Sequence, residues 1–208
     1  MSLIPKKGTV YVVDDDEAVR DSLQWLLEGK DYRVRCFDSA ESFLSRYDPR
    51  EVACLIVDIR MAGMTGLELQ DRLVERKSPL PVVFITGHGD VPMAVEAMRA
   101  GAMDFLQKPF NDDELIRRVN RALEEEAAQR EVLRQRDEVE RRWSDLTARE
   151  REVAQRVADG QANKVVAADL SISERTVELH RARIMQKMGV RSVAQLVRML
   201  LTLGQGPA

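Results

Sequence analysis

Short apolar runs alternate with amphipathic stretches five times in the first part of the chain, and this alternation limits the fold more than any other feature. Four of these runs lie at 9–13, 52–57, 81–86 and 102–106, and the other, 32–37, alternates apolar and polar residues as a strand does. Helical patterns lie between and after them, at 18–28, after Ser39, at 66–76, at 91–99 and from about Asn111. Strands that alternate with helices pair in parallel, so we predict an α/β, doubly wound, five-stranded parallel sheet with helices on both faces.

The stretch from Cys54 to Met61 places a carboxylate at the end of a buried strand. Four apolar residues run directly into Asp58, which puts it at the carboxyl edge of the sheet, where open α/β sheets have their ligand crevices. Taken alone, an Asp there is a nucleophile, a metal ligand or the N-cap of the following helix. Other polar residues end or follow strands and are expected at the same edge: Asp14, Asp15, Thr86 and Lys108.

Three carboxylates, a hydroxyl and an ammonium at one edge favour phosphoryl chemistry. Asp14, Asp15 and Asp58 would repel one another and raise each other's pKa values. A hard divalent cation removes that repulsion, and Mg²⁺ suits carboxylate and phosphate oxygens. Asp58 is then a nucleophile for a phosphoryl group, whose charge Mg²⁺ and Lys108 neutralise. Thr86 can donate a hydrogen bond to a phosphoryl oxygen.

Formal charge is unevenly distributed along the chain, although its sum is only −3. Residues 146–208 contain 10 Lys and Arg against 6 Asp and Glu, a net charge of +4, which leaves −7 for residues 1–145. An acidic front part and a basic back part indicate two domains with different partners, and a basic domain suits nucleic acid.

Cys36 and Cys54 are the only cysteines, and both fall in strand-like runs. We expect two buried, reduced thiols, which suits a reducing cytoplasm and gives neither a disulfide framework nor a zinc site. The N-terminus lacks an apolar core of signal-peptide length, and no apolar run approaches the roughly 18 residues of a membrane span. We therefore expect a cytoplasmic protein.

A run without Gly or Pro covers 112–142 and has high helix propensity. Its first part carries Leu115, Ile116, Val119 and Leu123, which we expect to pack on the sheet. Its second part is rich in opposite charges at i,i+4 spacing, which supports one long helix that leaves the first domain as a linker. That part fits a solvated spacer helix; a coiled-coil seam is the alternative, although no apolar heptad persists.

Four short helical patterns follow, with the spacing of a helix-turn-helix domain. The first begins at a capping box in which Thr147 is the N-cap and Glu150 reaches back. The others cover 163–170, 175–188 and 192–203. In the third, Val177, Ile184 and Met188 share one face and are predicted core residues.

The chain up to residue 125 resembles the receiver domain of two-component response regulators, through Asp14-Asp15, Asp58, Thr86, Phe105 and Lys108-Pro109 taken together. The resemblance implies a flavodoxin-like fold in which a sensor histidine kinase phosphorylates Asp58. It implies that Mg²⁺ is bound by Asp14, Asp15, Asp58 and the backbone carbonyl of Arg60. It also implies a cis Lys108–Pro109 bond and a switch, made by Thr86 and Phe105, that changes the surface around the fourth helix.

Three residues near this pocket carry separate expectations. Ala62 stands where the family commonly has proline, which we expect to loosen the loop after Asp58. Arg60 and His88 each follow a pocket residue by two positions, so one hypothesis is that they border the path of a hydrolytic water and set the lifetime of the acyl phosphate. The alternative is that both are solvated loop residues.

Residues 145–200 resemble the LuxR-type DNA-binding domain, through Leu146-Thr147-x-Arg149-Glu150, Asn163-Lys164 and Arg175-Thr176-Val177-Glu178-x-His180. The likeness implies that the third helix of this domain enters the major groove of double-stranded DNA. Phosphate contacts would come from Lys164, Arg175, Arg183 and Lys187. Base edges could be met by Glu178 and Leu179, and the predicted DNA-contacting set also contains Thr176 and Ala182. We expect His180 to be a packed histidine rather than a ligand.

Together the two parts resemble the FixJ/NarL class of response regulators, and the stretch 86–90 is nearer to the FixJ branch. We predict a receiver domain at 1–123, a helical linker at 124–144 and a LuxR-type helix-turn-helix domain at 145–208. The class implies a transcription regulator that depends on Mg²⁺ and a sensor histidine kinase, forms a homodimer when phosphorylated and so binds DNA. RNA polymerase is a further partner to consider, and no membrane is expected.

Two other functions compete with this one. An aspartate-nucleophile phosphohydrolase would also use Asp58 and Lys108 with Mg²⁺. Such enzymes usually carry a second acid where this chain has Arg60, so we predict no enzyme beyond self-phosphorylation and slow autodephosphorylation. The other competitor is a phospho-switch whose output domain binds protein or RNA, and loss of duplex-DNA binding on substituting Arg183 and Lys164 would weigh against it.

Overall fold

The computed structural model describes residues 8–87 and 91–204, and the chain divides into two units, Met1–Arg130 and Glu131–Ala208. The strands are β1 (Thr9–Val13), β2 (Arg33–Phe37), β3 (Ala53–Asp58), β4 (Val82–Thr86) and β5 (Asp104–Gln107). The helices of the first unit are α1 (Glu17–Glu28), α2 (Ala40–Arg46), α3 (Gly66–Glu75) and α4 (Val91–Arg99). The remaining helices are α5 (Asp112–Ser144), α6 (Ala148–Ala158), α7 (Asn163–Leu170), α8 (Glu174–Met188) and α9 (Val193–Thr202).

All five strands pair in parallel, in the order β2-β1-β3-β4-β5. The predicted doubly wound parallel sheet is therefore confirmed. Because β1 lies between β2 and β3, the chain reverses its direction of winding there, which opens a crevice at the carboxyl edge. Val13 lies opposite Val57, and Asp58 lies opposite Ile85. The ends of β1, β3 and β4 thus come together at that crevice.

Both faces of the sheet are buried, as the unbroken apolar runs predict. On one face, Tyr11 of β1 and its neighbours form a core with side chains of α2, α3 and α4, among them Phe43 and Leu69. On the other face, Val12 packs with residues of α1 and α5, among them Leu115. The helices therefore cover the sheet on two sides and leave its carboxyl edge to the loops.

α5 stays bonded to the first unit as far as Arg130. The Arg130 guanidinium donates to the backbone oxygens of Pro49 and Glu51 at 3.0 Å and of Arg50 at 3.1 Å, and to the buried Glu126 carboxylate. Every residue from 131 to 137 is then exposed. The predicted linker, 124–144, is thus divided between the two units.

The second unit contains the predicted capping box, since Thr147 and Glu150 each bond the other's backbone N–H. Val177, Ile184 and Met188 of α8 are buried, which confirms the predicted core face. The expectation of a solvated spacer helix is wrong for the last turns of α5, because Val139 is only 8% exposed and packs in the core of the second unit. The charges around Val139 in the sequence concealed its apolar face.

Cys54 is buried as expected, whereas Cys36 is only partly buried, and both thiols are free. Within the described ranges, no helix combines the length and the apolarity that crossing a membrane requires.

Candidate phosphorylation site and nucleic-acid interface

One ammonium group joins two carboxylates at the carboxyl edge of the sheet. Lys108 Nζ donates to Asp58 Oδ1 at 2.8 Å and to Asp14 Oδ2 at 3.0 Å. Asp58 is the last residue of β3, Asp14 follows β1 and Lys108 follows β5, so each is placed by a buried strand. The Asp58 side chain is 12% exposed, against 3% for Asp14. The sheet thus brings together three of the side chains that the sequence predicted at this edge.

The electrostatics of this cluster follow from burial and pairing. Burial raises the pKa of Asp14, against the lowering effect of the Asp16 N–H and Lys108. Burial alone would lower the pKa of Lys108, but its bonds to Asp58 and Asp14 outweigh that effect and raise it. Lys108 therefore remains an ammonium ion, and its single positive charge offsets part of the charge of the two carboxylates.

Backbone N–H groups of the loop after β3 bind one carboxylate oxygen of Asp58 and one of Asp15. The Arg60 N–H donates to Asp58 Oδ2 at 2.7 Å, and the Ala62 N–H donates to Asp15 Oδ2 at 2.9 Å. A proline at position 62 would have no N–H to donate. Ala62 thus adds a tether between this loop and Asp15, which is opposite to the loosening expected from the sequence.

The carboxylates at this edge are the kind of donor that a hard cation takes, although they are bonded to other groups in this structure. Asp14 and Asp58 converge on one ammonium, whereas the exposed Asp15 turns one oxygen to the Ala62 N–H. Among the described residues, no three His, Cys, Asp or Glu side chains form a ready metal cluster. Mg²⁺ is commonly held by one or two carboxylates plus waters and phosphate oxygens, so the residues present fit it.

Thr86 and Phe105, the predicted switch residues, lie on the neighbouring strands. Thr86 ends β4, is 3% exposed, and its backbone oxygen accepts from the Lys108 N–H at 2.7 Å. Its hydroxyl is 3.4 Å from the Gly87 oxygen. Phe105 is partly buried against the core on the side of α2, α3 and α4. The Lys108–Pro109 bond is cis, as the resemblance implied. Arg60 is exposed, and His88 lies outside the described residues.

Sequence reasoning missed two residues that hold the acidic groups in place. Arg20 Nη1 donates to the Asp14 backbone oxygen at 2.8 Å, which ties α1 to the end of β1. Gly66 begins α3, and a Cβ there would lie 2.3 Å from the Asp58 backbone oxygen. The sequence did offer a signal for Gly66, because glycine has low helix propensity and its presence in the first turn of a helix indicates a steric requirement.

The predicted DNA-contacting residues mostly lie on an exposed face of the second unit. Arg175 and Glu178 pair at 3.2 Å on the surface of α8, and Leu179 is 49% exposed. Ala182, Arg183 and Lys187 on α8 and Lys164 on α7 are also exposed, and Thr176 is partly exposed. An exposed helix with cations around an apolar side chain is suited to phosphates and base edges.

Lys187 differs from the other predicted cations. Its Nζ is bonded to Glu150 Oε2 at 2.7 Å and to the Asp145 backbone oxygen at 3.1 Å. This lysine therefore joins α8 to α6 and to the turn before it, a contact that a local sequence pattern does not reveal. His180 is partly buried with a buried Nδ1, as expected for a packed histidine.

Known proteins match both units. Residues 10–120 match the response regulator receiver domain, and residues 144–200 match the luxR family of bacterial regulatory proteins. The transcriptional regulatory protein FixJ of Azorhizobium caulinodans is 46% identical over 99% of this chain and 97% of its own length. FixJ of Bradyrhizobium diazoefficiens is 43% identical over 95% and 97%.

Solved structures give the same result. The response regulator StyR is similar with a TM-score of 0.88 and 44% identity, over 93% of this chain and 98% of that one. Full-length FixJ from B. japonicum has a TM-score of 0.60 at 40% identity, over 96% and 98%. With the two domain matches and these full-length relatives, the chain belongs to the FixJ-like response regulators, which join a receiver domain to a LuxR-type DNA-binding domain.

Proposed function

We propose that this response regulator controls transcription through a phosphoryl group that Asp58 accepts from a histidine of a sensor kinase. The observation that carries the proposal is the Asp58 carboxylate, held on one oxygen by Lys108 and on the other by the Arg60 N–H, yet 12% exposed. A carboxylate fixed at both oxygens and still reachable is oriented for attack on an incoming phosphorus atom.

The transfer step is a displacement at phosphorus. An Asp58 carboxylate oxygen forms a bond to phosphorus, while the bond from phosphorus to the imidazole nitrogen of the donor breaks and that nitrogen keeps the electron pair. Lys108 and the Arg60 N–H, already directed at Asp58, are the groups that can stabilise the phosphoryl oxygens. Bound Mg²⁺, held by Asp14, Asp15, Asp58 and the Arg60 carbonyl, would neutralise phosphoryl charge.

Phosphorylation then acts on the DNA-binding unit by shifting the receiver from one conformation towards another. A dianionic phosphoryl group beside Thr86 gives its hydroxyl a strong acceptor, and Phe105 moves with it to change the surface around α4. We infer that this change favours a homodimer, in which two copies of α8 bind one two-fold DNA site. Two linked modules bind far more tightly than one because the second binds at high effective concentration. The proposed action is cytoplasmic, on promoters read by RNA polymerase.

Intact mass after incubation with acetyl phosphate and Mg²⁺ tests the acceptor. We expect one phosphoryl adduct on the native chain and none on Asp58→Asn. The variant Asp71→Asn, at an exposed position of α3, is the matched control and should take the adduct as the native chain does. An adduct that persists on Asp58→Asn, or none on the folded native chain with a kinase also supplied, contradicts the proposal.

Duplex-DNA binding as a function of salt tests the output. Each of Lys164→Ala and Arg183→Ala should weaken binding and lower the slope against salt by about 1, because each removes one phosphate contact. Arg136→Ala, at an exposed position of α5, should leave the slope unchanged. If the folded chain binds RNA or protein but no duplex DNA, the output proposed here is wrong.

A further inference from the structure

The C-terminal end of α8 is bonded to the last turn of α5. Arg142 Nη1 donates to the backbone oxygen of Met188, the last residue of α8, at 2.8 Å. The same guanidinium donates through Nε to Glu138 Oε1 at 2.9 Å. The last carbonyls of a helix have no partner within it, and a cation there also complements the helix dipole. Arg142 thus caps α8 from another helix.

Gly189 makes room for this cap. It follows α8 with a φ of +68°, a left-handed conformation that glycine adopts without strain. A Cβ at Gly189 would lie 2.3 Å from Arg142 Nη1, so any other residue would displace the guanidinium. Glycine is therefore needed at this position twice, for its backbone conformation and for the approach of Arg142.

The segment that carries Arg142 is itself fixed. Val139 is buried in the core of the second unit, and Trp143 packs against that core. Beyond Arg142, the bonds of Lys187 to Asp145 and Glu150 join the end of α8 to the turn that precedes α6. The end of α8 is consequently attached to a rigid part of the domain and not to a mobile tail.

We propose that Arg142 is a positioning residue for DNA recognition, which sets the angle at which α8 presents its exposed side chains to the groove. The inference rests on the proposed function of α8 in DNA binding and adds a residue outside the helix-turn-helix. Hydrogen bonds to base edges need a defined helix orientation, whereas contacts to phosphates tolerate small rotations. Loss of the Arg142 cap should therefore reduce discrimination between sequences more than it reduces general affinity.

The test compares two DNA probes and uses the full chain treated with acetyl phosphate and Mg²⁺. One probe is a duplex selected from random DNA by the native protein, and the other is its shuffled counterpart. We expect Arg142→Ala to lower the ratio of the two affinities about tenfold, the effect of losing one good base contact. Arg142→Lys should lower it similarly, because lysine keeps the charge but lacks the planar fork that spans two acceptors.

Arg136→Ala is the charge control, since Arg136 is an exposed arginine of the same helix. The ratio of the two DNA affinities should be the same for this variant as for the native chain. A native ratio in Arg142→Lys would mean that the guanidinium acts only as a charge, and a native ratio in Arg142→Ala would mean that it does not position α8. Either result overturns the inference.

A comparison of two glycines tests the cap without DNA. Gly160 also has a left-handed φ, +79°, after α6, but no atom lies within 4 Å of its would-be Cβ. Gly189→Ala should therefore lower the unfolding temperature of the second unit more than Gly160→Ala does. In an Arg142→Ala background the two effects should become equal. Equal effects in the native background would show that the Arg142 cap adds no stability to the second unit, which contradicts its role in fixing α8.

The two tests separate the possible failures. If the native chain selects no duplex, the proposed DNA-binding function fails and the positioning role fails with it, even where the glycines behave as expected. If the native chain selects a duplex and the Arg142 variants keep the ratio, only the positioning role is overturned.

Discussion

Gly66→Ala is predicted to destabilise the receiver unit because one added methyl group has no space. The new Cβ would lie 2.3 Å from the Asp58 backbone oxygen and 3.0 Å from Phe84 Cε1. The first distance is roughly an ångström shorter than an ordinary contact. The obstacle is backbone and cannot rotate away, because the N–H of the same peptide group, that of Ile59, is bonded to the Ile85 oxygen at 3.2 Å. Relief requires moving α3 away from β3.

The magnitude follows from the cost of overpacking, which is commonly 1 to 3 kcal/mol. Because the contact is with backbone, we expect the upper end, about 3 kcal/mol of unfolding free energy. With a urea m-value of about 2 kcal/mol/M, the unfolding midpoint of this unit should fall by about 1.5 M. Displacement of the Asp58 carbonyl should also slow phosphorylation by acetyl phosphate, because the carboxylate moves with it.

Hydrogen exchange of peptides that cover β3 and β4, followed by mass spectrometry across a urea series, measures this unit separately from the second one. Gly29→Ala is the matched control. Gly29 has a φ of −63°, and the atom nearest to its would-be Cβ, the Trp25 oxygen, is 3.2 Å away. That substitution should change stability by no more than about 0.5 kcal/mol. Equal midpoints for the two variants would refute the steric argument.

Three further predictions follow from single contacts. Burial raises the pKa of Glu150, but its bonds to Lys187 and Thr147 outweigh burial and lower the pKa below its usual 4.5. The second unit should therefore lose stability as the pH falls below that value, and in urea unfolding the Glu150→Gln variant should lose less stability over the same pH range. Leu55→Ala should cost the receiver about 3 kcal/mol by urea unfolding, whereas Val74→Ala, at an exposed position of α3, should cost almost nothing. Lys108→Met should slow adduct formation, read by intact mass, about 100-fold.

The sequence predicts the receiver fold well because its central strands, β1, β3 and β4, are buried on both faces. Such strands appear as unbroken apolar runs, and a polar residue at the end of each run marks the carboxyl edge. The sequence alone therefore predicts that Asp14, Asp58 and Lys108 lie close together. Their roles needed the resemblance to a family, since the residues alone left Asp58 as a nucleophile, a ligand or a cap.

Contacts between segments that are distant in the chain could not be predicted from the sequence. Val139 lies among charged residues, so its burial depends on a surface that only the folded second unit provides. Lys187 has the charge expected of a residue that contacts phosphate, but it is bonded to Glu150, which is 37 residues away in the chain. Ala62 acts through its backbone N–H, which no side-chain pattern identifies. In each case the deciding partner is remote in the chain or is not a side chain.

The Arg130 contacts have a consequence for domain exchange. A receiver cut at residue 123 would lack Arg130, leaving the backbone oxygens of Pro49, Arg50 and Glu51 without this donor. A junction within 131–137, all exposed, keeps Arg130 on its carbonyls and Arg142 on Met188. Hybrid regulators that pair this receiver with a foreign output domain, or the reverse, should therefore be spliced inside those seven residues.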